Sequence, residues 1–320
     1  MGYLYVAGAL VGWAAMAFTY RRAESLHGNR FCTTMSLGLG SVACNLVVAL
    51  VSHVDVSQGH ASQYLIGGVT GLLNVVGLPL FLAAVARGDL SVTWLTATLA
   101  FALASALSLI YPHVDDPTAL GIAGLAVAAA AMVLLGLDVY SRMQGHGAGR
   151  GGFKKGWFFF MSIAFVINGL SIYSFTPASY LAPPSDVNRL AFMIAFAGAI
   201  ALGGLPLVLF AKSDGALRPG LIWGFLTGVG SFTGGYLTLL AIQQAGIPSY
   251  VVYPASNGGS NVLVVALSVM FLRERPGRWG WSGMTAGVLA LVLLGMAAKP
   301  GEKAKPERTP AALIEDRTVR

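Results

Sequence analysis

Charged side chains are scarce in this chain: Asp, Glu, Lys and Arg make up 10% of its 320 residues, against 56% that are hydrophobic. The mean hydropathy is +0.71. One water-soluble globule of this length cannot hide so much apolar surface, so lipid is the expected solvent and the unit to count is a span of roughly 20 apolar residues. Cysteine is rarer still, with Cys32 and Cys44 alone. Both fall in one apolar run, without metal-ligand spacing or an obvious partner for a bridge, and read as packing residues. No G-x-x-x-x-G-K-S/T loop, nucleophile elbow or H-E-x-x-H helix occurs, which leaves ATP-driven transport and enzyme chemistry without a motif.

The net charge of +7 is scattered between apolar runs rather than gathered on a face with aromatics, which argues against a nucleic-acid partner. No metal or cofactor is expected. His53, Asp55 and His60 share a polar loop, but their spacing fits no compact ligand motif. The first apolar run has no basic n-region and no small-residue cleavage site, and nothing resembles an Arg-rich transit peptide. A retained first span and a prokaryotic inner (plasma) membrane are the expectation.

What the chain does have is ten apolar segments, at 3–20, 31–51, 64–86, 92–111, 119–137, 157–175, 190–210, 221–242, 250–272 and 279–298. Helices are required of them, because lipid offers no partner for unpaired backbone groups. The polar stretch 138–156, with Gly145-His146-Gly147 and Lys154-Lys155, divides them five and five and reads as a linker between residues 1–137 and 157–298. The tail 299–320 is charged, carries Pro300, Pro306 and Pro310, and is expected to be disordered.

The two halves repeat each other. Gly88-Asp89-Leu90-Ser91 aligns with Gly246-Ile247-Pro248-Ser249, and one inserted residue later Gly121, Gly124 and Leu134-Leu135-Gly136 align with Gly280, Gly283 and Leu293-Leu294-Gly295. An odd number of spans per unit turns the second copy upside down, the architecture of many secondary transporters. The fold class expected is therefore an all-α polytopic membrane protein of ten transmembrane helices in two inverted five-helix repeats. Loops after odd-numbered spans hold 13 of the 20 Lys and Arg residues, which places those loops in the cytoplasm and both termini outside. The basic tail argues for the opposite orientation.

No Asp, Glu, Lys or Arg lies in the middle of any span, so a carboxylate-based proton antiporter is disfavoured and neutral hydrogen-bonding groups are expected to hold the ligand. The densest polar cluster is in span nine. Tyr253, Asn257 and Asn261 recur every fourth residue, with Ser256 and Ser260 beside that stripe. Pro254 removes a backbone donor and Gly258-Gly259 weakens the helix, so it is expected to kink or loosen there and free carbonyls. Span four, its repeat partner, offers Trp94 and Thr98, with Ser105 and Ser108 on the same face. Asn74 in span three, Asn168 and Ser171 in span six, Thr227 and Ser231 in span eight, Trp13 in span one and Tyr236 in span eight complete the candidates, and Asn45 in span two is a further isolated amide. Each of these can equally serve as glue between helices in lipid.

Ten spans in two units, the Pro254-containing span nine, then Phe271-Leu272-Arg273-Glu274-Arg275 and a last span with Gly280, Gly283, Gly287 and Leu293-Leu294-Gly295 resemble the EamA-type branch of the drug/metabolite transporter superfamily. In that family a Pro-led fourth helix of each repeat precedes a short Glu-containing loop and a Gly-rich fifth helix. Pro254 and Glu274 match in the second repeat, while the first has Thr96 in place of the Pro and Asp115-Asp116 near the Glu position. The resemblance implies that helices one to four of each repeat surround a central cavity. It also implies peripheral fifth helices that often contribute to dimer contacts, so a homodimer is one assembly it allows. Members export amino acids and drugs or exchange nucleotide sugars and phosphorylated sugars. The phosphate-handling branches use intramembrane Lys or Arg, which this chain lacks.

The resulting expectation is a secondary transporter that moves a small polar or amphipathic metabolite by alternating access, at a midplane site built from spans three, four, eight and nine. Its partners would be that small molecule and membrane lipids. Gly67-Gly68, Gly203-Gly204 and Gly234-Gly235 would allow close helix approach, and Pro79, Pro206 and Pro254 would allow bends. Two rivals stay open: a flippase for a lipid or lipid-linked sugar on the same scaffold, and a non-transporting membrane subunit or sensor.

Overall fold

The computed structural model describes residues 2–85, 100–110, 118–145, 156–210, 215–264 and 277–297. The long charge-poor runs fold as helices: α1 (Gly2–Ser25), α2 (Arg30–Val51), α3 (Ala61–Val85), α4 (Ala100–Ile110), α5 (Ala119–Gly145), α6 (Trp157–Tyr173), the short α7 (Phe175–Tyr180), α8 (Asp186–Phe210), α9 (Leu217–Gln243), α10 (Ser249–Tyr253) and α11 (Arg278–Ala297). Among the described residues there is no β-sheet, and six helical stretches are long and apolar enough to cross a membrane: Gly2–Tyr20, Arg30–Val51, Ala61–Leu78, Phe159–Tyr180, Asp186–Phe210 and Leu217–Gln243. The chain thus has the build of an all-α, multi-pass integral membrane protein. The other four expected spans correspond to α4 with neighbours outside the described residues, α5, the helical stretch 249–264 and α11.

The outer faces of these helices are apolar. Leu46, Val47 and Leu50 of α2, Leu65, Leu72 and Val76 of α3 and Leu202 and Leu209 of α8 are exposed, a surface that would aggregate in water and suits acyl chains. Polar and small residues turn inward, and their hydroxyls are satisfied locally. Thr70 Oγ1 donates to the Ile66 carbonyl at 2.6 Å, and Thr227 Oγ1 reaches the Trp223 carbonyl at 2.7 Å.

Backbones come close because glycines face them. Gly220, Gly224 and Gly228 lay one stripe of α9 against α2, running parallel to it; a Cβ on Gly224 would sit 2.6 Å from the Thr33 carbonyl, and one on Gly228 2.7 Å from the Ser41 nitrogen. In the same way α3 lies parallel to α8, with Gly67 on the Phe192 carbonyl and Gly71 on the Phe196 carbonyl. Two antiparallel pairs also correspond. In one, Gly12 of α1 meets Gly234 of α9; in the other, Gly77 of α3 meets Ile167 of α6. Where α2 crosses α8, Gly38 rests on Ala201 and Gly204 on Met35, an antiparallel contact. Helices α5 and α11 pair with each other at the edge, and α4 packs on α6 and α10.

The connections repeat the correspondence. Before α9, Ala216 and the residues just before α2 exchange backbone bonds, Asn29 N to Ala216 O at 2.9 Å and Ala216 N to His27 O at 2.8 Å. Before α3, the His60 N–H donates to Asn188 Oδ1 in the first turn of α8 at 2.8 Å.

Several helix ends differ from the sequence reading. Helix α5 covers Ala119–Gly145 and so enters the stretch expected as linker, because Asp138 to Gln144 contain no breaker. Thr118 caps α5, accepting from the Gly121 N–H at 3.0 Å; Asp115, Asp116 and Pro117 lie outside the described residues. Helix α8 begins at Asp186 rather than at 190, which puts an acidic side chain in its first turn where the helix dipole favours it. The tail 299–320 lies outside the described residues.

Gly228→Val should force α9 off α2 and destabilise the protein by about 1–3 kcal/mol or more, as overpacking does. Gly68→Ala is the control, since a Cβ there meets nothing within 4 Å and helix propensity favours Ala by about 1 kcal/mol. Thermal unfolding in detergent should separate the two variants; equal melting points would refute the packing account.

Candidate functional site

A cavity of about 210 Å³ lies between α1, α2, α3, α6, α8, α9 and the stretch after Pro254. Helix α1 supplies Trp13, Met16, Ala17 and Tyr20, and α6 supplies Ala164, Ile167, Asn168, Ser171 and Ile172. Asn74, Gly77, Leu78 and Phe81 come from α3, Thr34 and Leu37 from α2, Phe196 and Ile200 from α8, and Phe175 from the start of α7. No lining residue is Asp, Glu, Lys, Arg or His. Polarity comes from Asn74, Asn168, Ser171, Ser231, Asn257, Ser260 and Asn261, set among aromatic rings.

Span nine is broken where its sequence suggested. After α10, residues Pro254–Gly258 form a π-helical turn, in which the Gly259 N–H bonds to the Pro254 carbonyl. Pro254 has no N–H to give to the Tyr250 carbonyl, and the wider turn accommodates that loss. The Asn257 carbonyl takes up the slack, accepting from Ser260 Oγ at 2.7 Å and from Asn261 Nδ2 at 3.1 Å. Each π turn carries an extra residue in its hydrogen-bonded ring, so residues before and after it no longer keep the register of an α-helix. Asn257, Ser260 and Asn261 line the cavity, whereas Tyr253 does not. Its hydroxyl instead pairs at 2.5 Å with Thr176 Oγ1, and both residues are fully buried.

The other expected positions divide. Trp13, Asn74, Asn168 and Ser231 line the cavity. Trp13 packs its ring on Gly234, and Asn74 Nδ2 donates to Ser171 Oγ and to the Thr70 carbonyl, each at 2.9 Å. Ser256, Thr227 and Tyr236 do not line it. Ser256 is buried and bonds the Val252 carbonyl at 2.7 Å, and Thr227 is buried with Thr19 Oγ1 at 3.0 Å. Tyr236 stacks on Phe232, ring centroids 5.3 Å apart. Trp94 and Thr98 lie outside the described residues. Among the described residues the lining is densest on α1, α3, α6 and the π turn. Helix α9, pinned against α1 and α2 through its glycine faces, shows the cavity Ser231 alone.

Asn45 is buried on α2 away from the cavity and gives Nδ2 to the Ser41 carbonyl at 2.8 Å. In the loop before α3, Ser57 Oγ and Gln58 Nε2 donate to the Asp55 carboxylate at 2.7 and 3.0 Å, with the Ser57 N–H adding a third bond, and together they hold its pKa below the usual carboxylate value. His60 Nδ1 turns to Ser62 Oγ.

At one end of the cavity Tyr20 of α1, Phe81 of α3 and Ala164 of α6 pack in a single buried cluster. The opposite end is sealed by aromatic rings. Phe175 meets Phe192 edge-on at 5.2 Å, and Phe192 stacks on Phe196 at 6.2 Å. Beyond these rings lie the Tyr253–Thr176 pair, the bond from Gln63 Nε2 to the Ala178 carbonyl at 2.9 Å, and buried Arg189, which pairs with Asp186 and donates to Gln243 Oε1 at 2.8 Å.

One signal for the site went unread in the sequence. Gly67-x-x-Thr70-Gly71 and Gly77 of α3 match Gly224-x-x-Thr227-Gly228 and Gly234 of α9, and within that match Asn74 corresponds to Ser231. Both line the cavity.

No family model matches this sequence, and no curated protein does. Among solved structures, a crystal structure described only as that of a protein superposes with a TM-score of 0.66 at 18% identity, over 93% of this chain and 99% of the other. At that identity the likeness is one of fold.

Proposed function

We propose that this chain is a secondary transporter of the drug/metabolite type, two inverted five-helix repeats that carry a small polar or amphipathic metabolite across a plasma membrane by alternating access. One observation carries the reading: the helix pairing keeps its pattern when the halves are exchanged. The pair α1–α9 corresponds to α6–α3 and the pair α2–α9 to α8–α3, while α2–α8 and α5–α11 each join a helix to its own counterpart. The antiparallel crossing of α2 and α8 supports inversion, since counterparts in an upright duplication would run the same way.

The cavity sits at the junction of the halves, enclosed by packed side chains at both ends, where a carrier that alternates its access would hold its ligand. By the distribution of Lys and Arg, the end reached by Tyr20 and Ala164 faces the cytoplasm. An uncharged hollow between the halves weighs against a non-transporting subunit, whose polar residues would be packed together. Its volume is below the roughly 300–1,000 Å³ of drug-sized sites, which favours a small metabolite.

A thermal-shift screen of amino acids, nucleosides, sugars and amines should find a stabilising ligand, and proteoliposomes should take it up. Asn257→Leu should then lower uptake about tenfold or more with the protein level unchanged; uptake at the wild-type rate would remove Asn257 from the site. Tyr253→Phe should weaken the sealed end by about 1–3 kcal/mol, because buried Thr176 loses its partner. A Ser231→Cys reporter, with Cys32 and Cys44 replaced, should then react several-fold faster with an impermeant maleimide added from the Arg189 side of oriented vesicles. An unchanged rate would mean that this hydroxyl pair holds no gate.

A further inference from the structure

The cavity's amides are not free to turn either way. Asn74 Nδ2 is committed to the Thr70 carbonyl and Asn261 Nδ2 to the Asn257 carbonyl. A carbonyl can only accept, so each amide must present its nitrogen there and its oxygen elsewhere. Asn257 is fixed by the same logic at one remove: the Ser256 hydroxyl gives its proton to the Val252 carbonyl, so towards Asn257 Nδ2, 3.4 Å away, it can only accept. Both amide N–H groups of Asn74 and one each of Asn257 and Asn261 are thereby directed into the protein. Among the described residues no donor reaches the three Oδ1 atoms, all of them on cavity-lining side chains.

Of the amide donors, the second N–H of Asn257 and that of Asn261 remain beside these oxygens. Ser260 gives its proton to the Asn257 carbonyl and Thr34 to the Arg30 carbonyl, and Trp13 Nε1 is covered by surrounding atoms. Ser171 and Ser231 keep hydroxyls that can act either way. Rings of Trp13, Phe81 and Phe175 supply π faces, and no basic side chain lines the wall. Such a wall suits a ligand that arrives with N–H donors and positive charge, because amide oxygens replace its water and aromatic faces attract the cation. A carboxylate would meet acceptors and no cation. Arg189, at the sealed end, is occupied by Asp186 and Gln243.

We propose that the cavity takes a small organic ammonium, its N–H groups received by Oδ1 of Asn74, Asn257 and Asn261 and its hydrocarbon laid on Trp13, Phe81 and Phe175. This rests on the transport reading and narrows its substrate.

The test uses three one-ring probes on the full chain in detergent at pH 7: 2-phenylethylamine, 2-phenylethanol and 3-phenylpropanoate, titrated calorimetrically. The amine should bind at least tenfold more tightly than the alcohol or the acid. Asn261→Leu should weaken the amine tenfold or more and change the alcohol less than threefold. The three-probe comparison on the unaltered chain stands by itself if that variant fails to fold. Equal or tighter binding of the alcohol or the acid would overturn the ammonium assignment and leave transport standing, as would uptake of a purely anionic metabolite. Binding of none of the three would also overturn the assignment, and transport would fall with it only if the proteoliposome screen likewise found no substrate.

Discussion

Close approach of helix backbones is the constraint on which the rest of this molecule depends. In lipid the hydrophobic effect does not drive one helix onto another, so association has to come from surfaces that touch along their length. Helix α2 has two such surfaces. Gly40 meets the Phe225 backbone of α9, and Gly38 meets Ala197 and Ala201 of α8. Held on both sides, α2 becomes a fixed wall, and α8 is held in the same manner by α2 and α3. With these walls at their tightest spacing, large side chains are pushed to the lipid face, and α1 and α6 are left to enclose the space between.

That enclosure decides where irregular backbone can sit. A helix break facing acyl chains would leave polar groups without partners. Here the breaks are internal: the π turn at Pro254–Gly258 borders the cavity, and the passage from α6 to α7 at Ser174 lies beside it. The two breaks meet through the Tyr253–Thr176 hydroxyl pair. The π turn brings the side chains of Asn257, Ser260 and Asn261 to the cavity wall. The absence of fixed charge from the wall follows from the same economy, since a permanently buried ionised side chain without an opposite charge beside it is costly.

How much of this could be read from the sequence depends on which physical signal each residue carries. The apolar runs gave the spans, because length and hydropathy report directly on solvent. The local cue of Pro254 with Gly258-Gly259 located the break in span nine. Asn257 and Asn261 could be taken from it, but Tyr253 could not, because a stripe drawn at α-helical period assumes the hydrogen bonding that the π turn replaces. Trp13, Asn74, Asn168 and Ser231 stood out as isolated polar or amphipathic groups, yet Thr227 looked just as eligible and faces Thr19 instead. Which face of a helix looks inward is a property of its neighbours. The shared Gly-x-x-Thr-Gly pattern of α3 and α9 would have supplied those neighbours, since glycines mark the packed face and so assign Asn74 and Ser231 to the adjacent one.

The paired joints bear on how such a molecule would move. The bond from His60 to Asn188 ties the start of α3 to that of α8, and the bridge between Ala216 and Asn29 ties the start of α9 to that of α2. Each parallel pair is thus locked at one end and glycine-packed along its length, so it should move as one body. The contact left between the two pairs is the α2–α8 crossing, where Gly38, Gly204 and Ala201 present a surface almost free of side chains. On the proposed inversion this crossing lies on the axis that relates the halves, and a smooth contact on an axis resists separation far more than rotation. On the transport reading, rocking about this point would part the rings of Phe175, Phe192 and Phe196 at one end or the cluster of Tyr20 and Phe81 at the other. The proposed inversion of the repeats makes those two motions equivalent in energy to first order, so a single neutral cavity can face either side without a large standing preference.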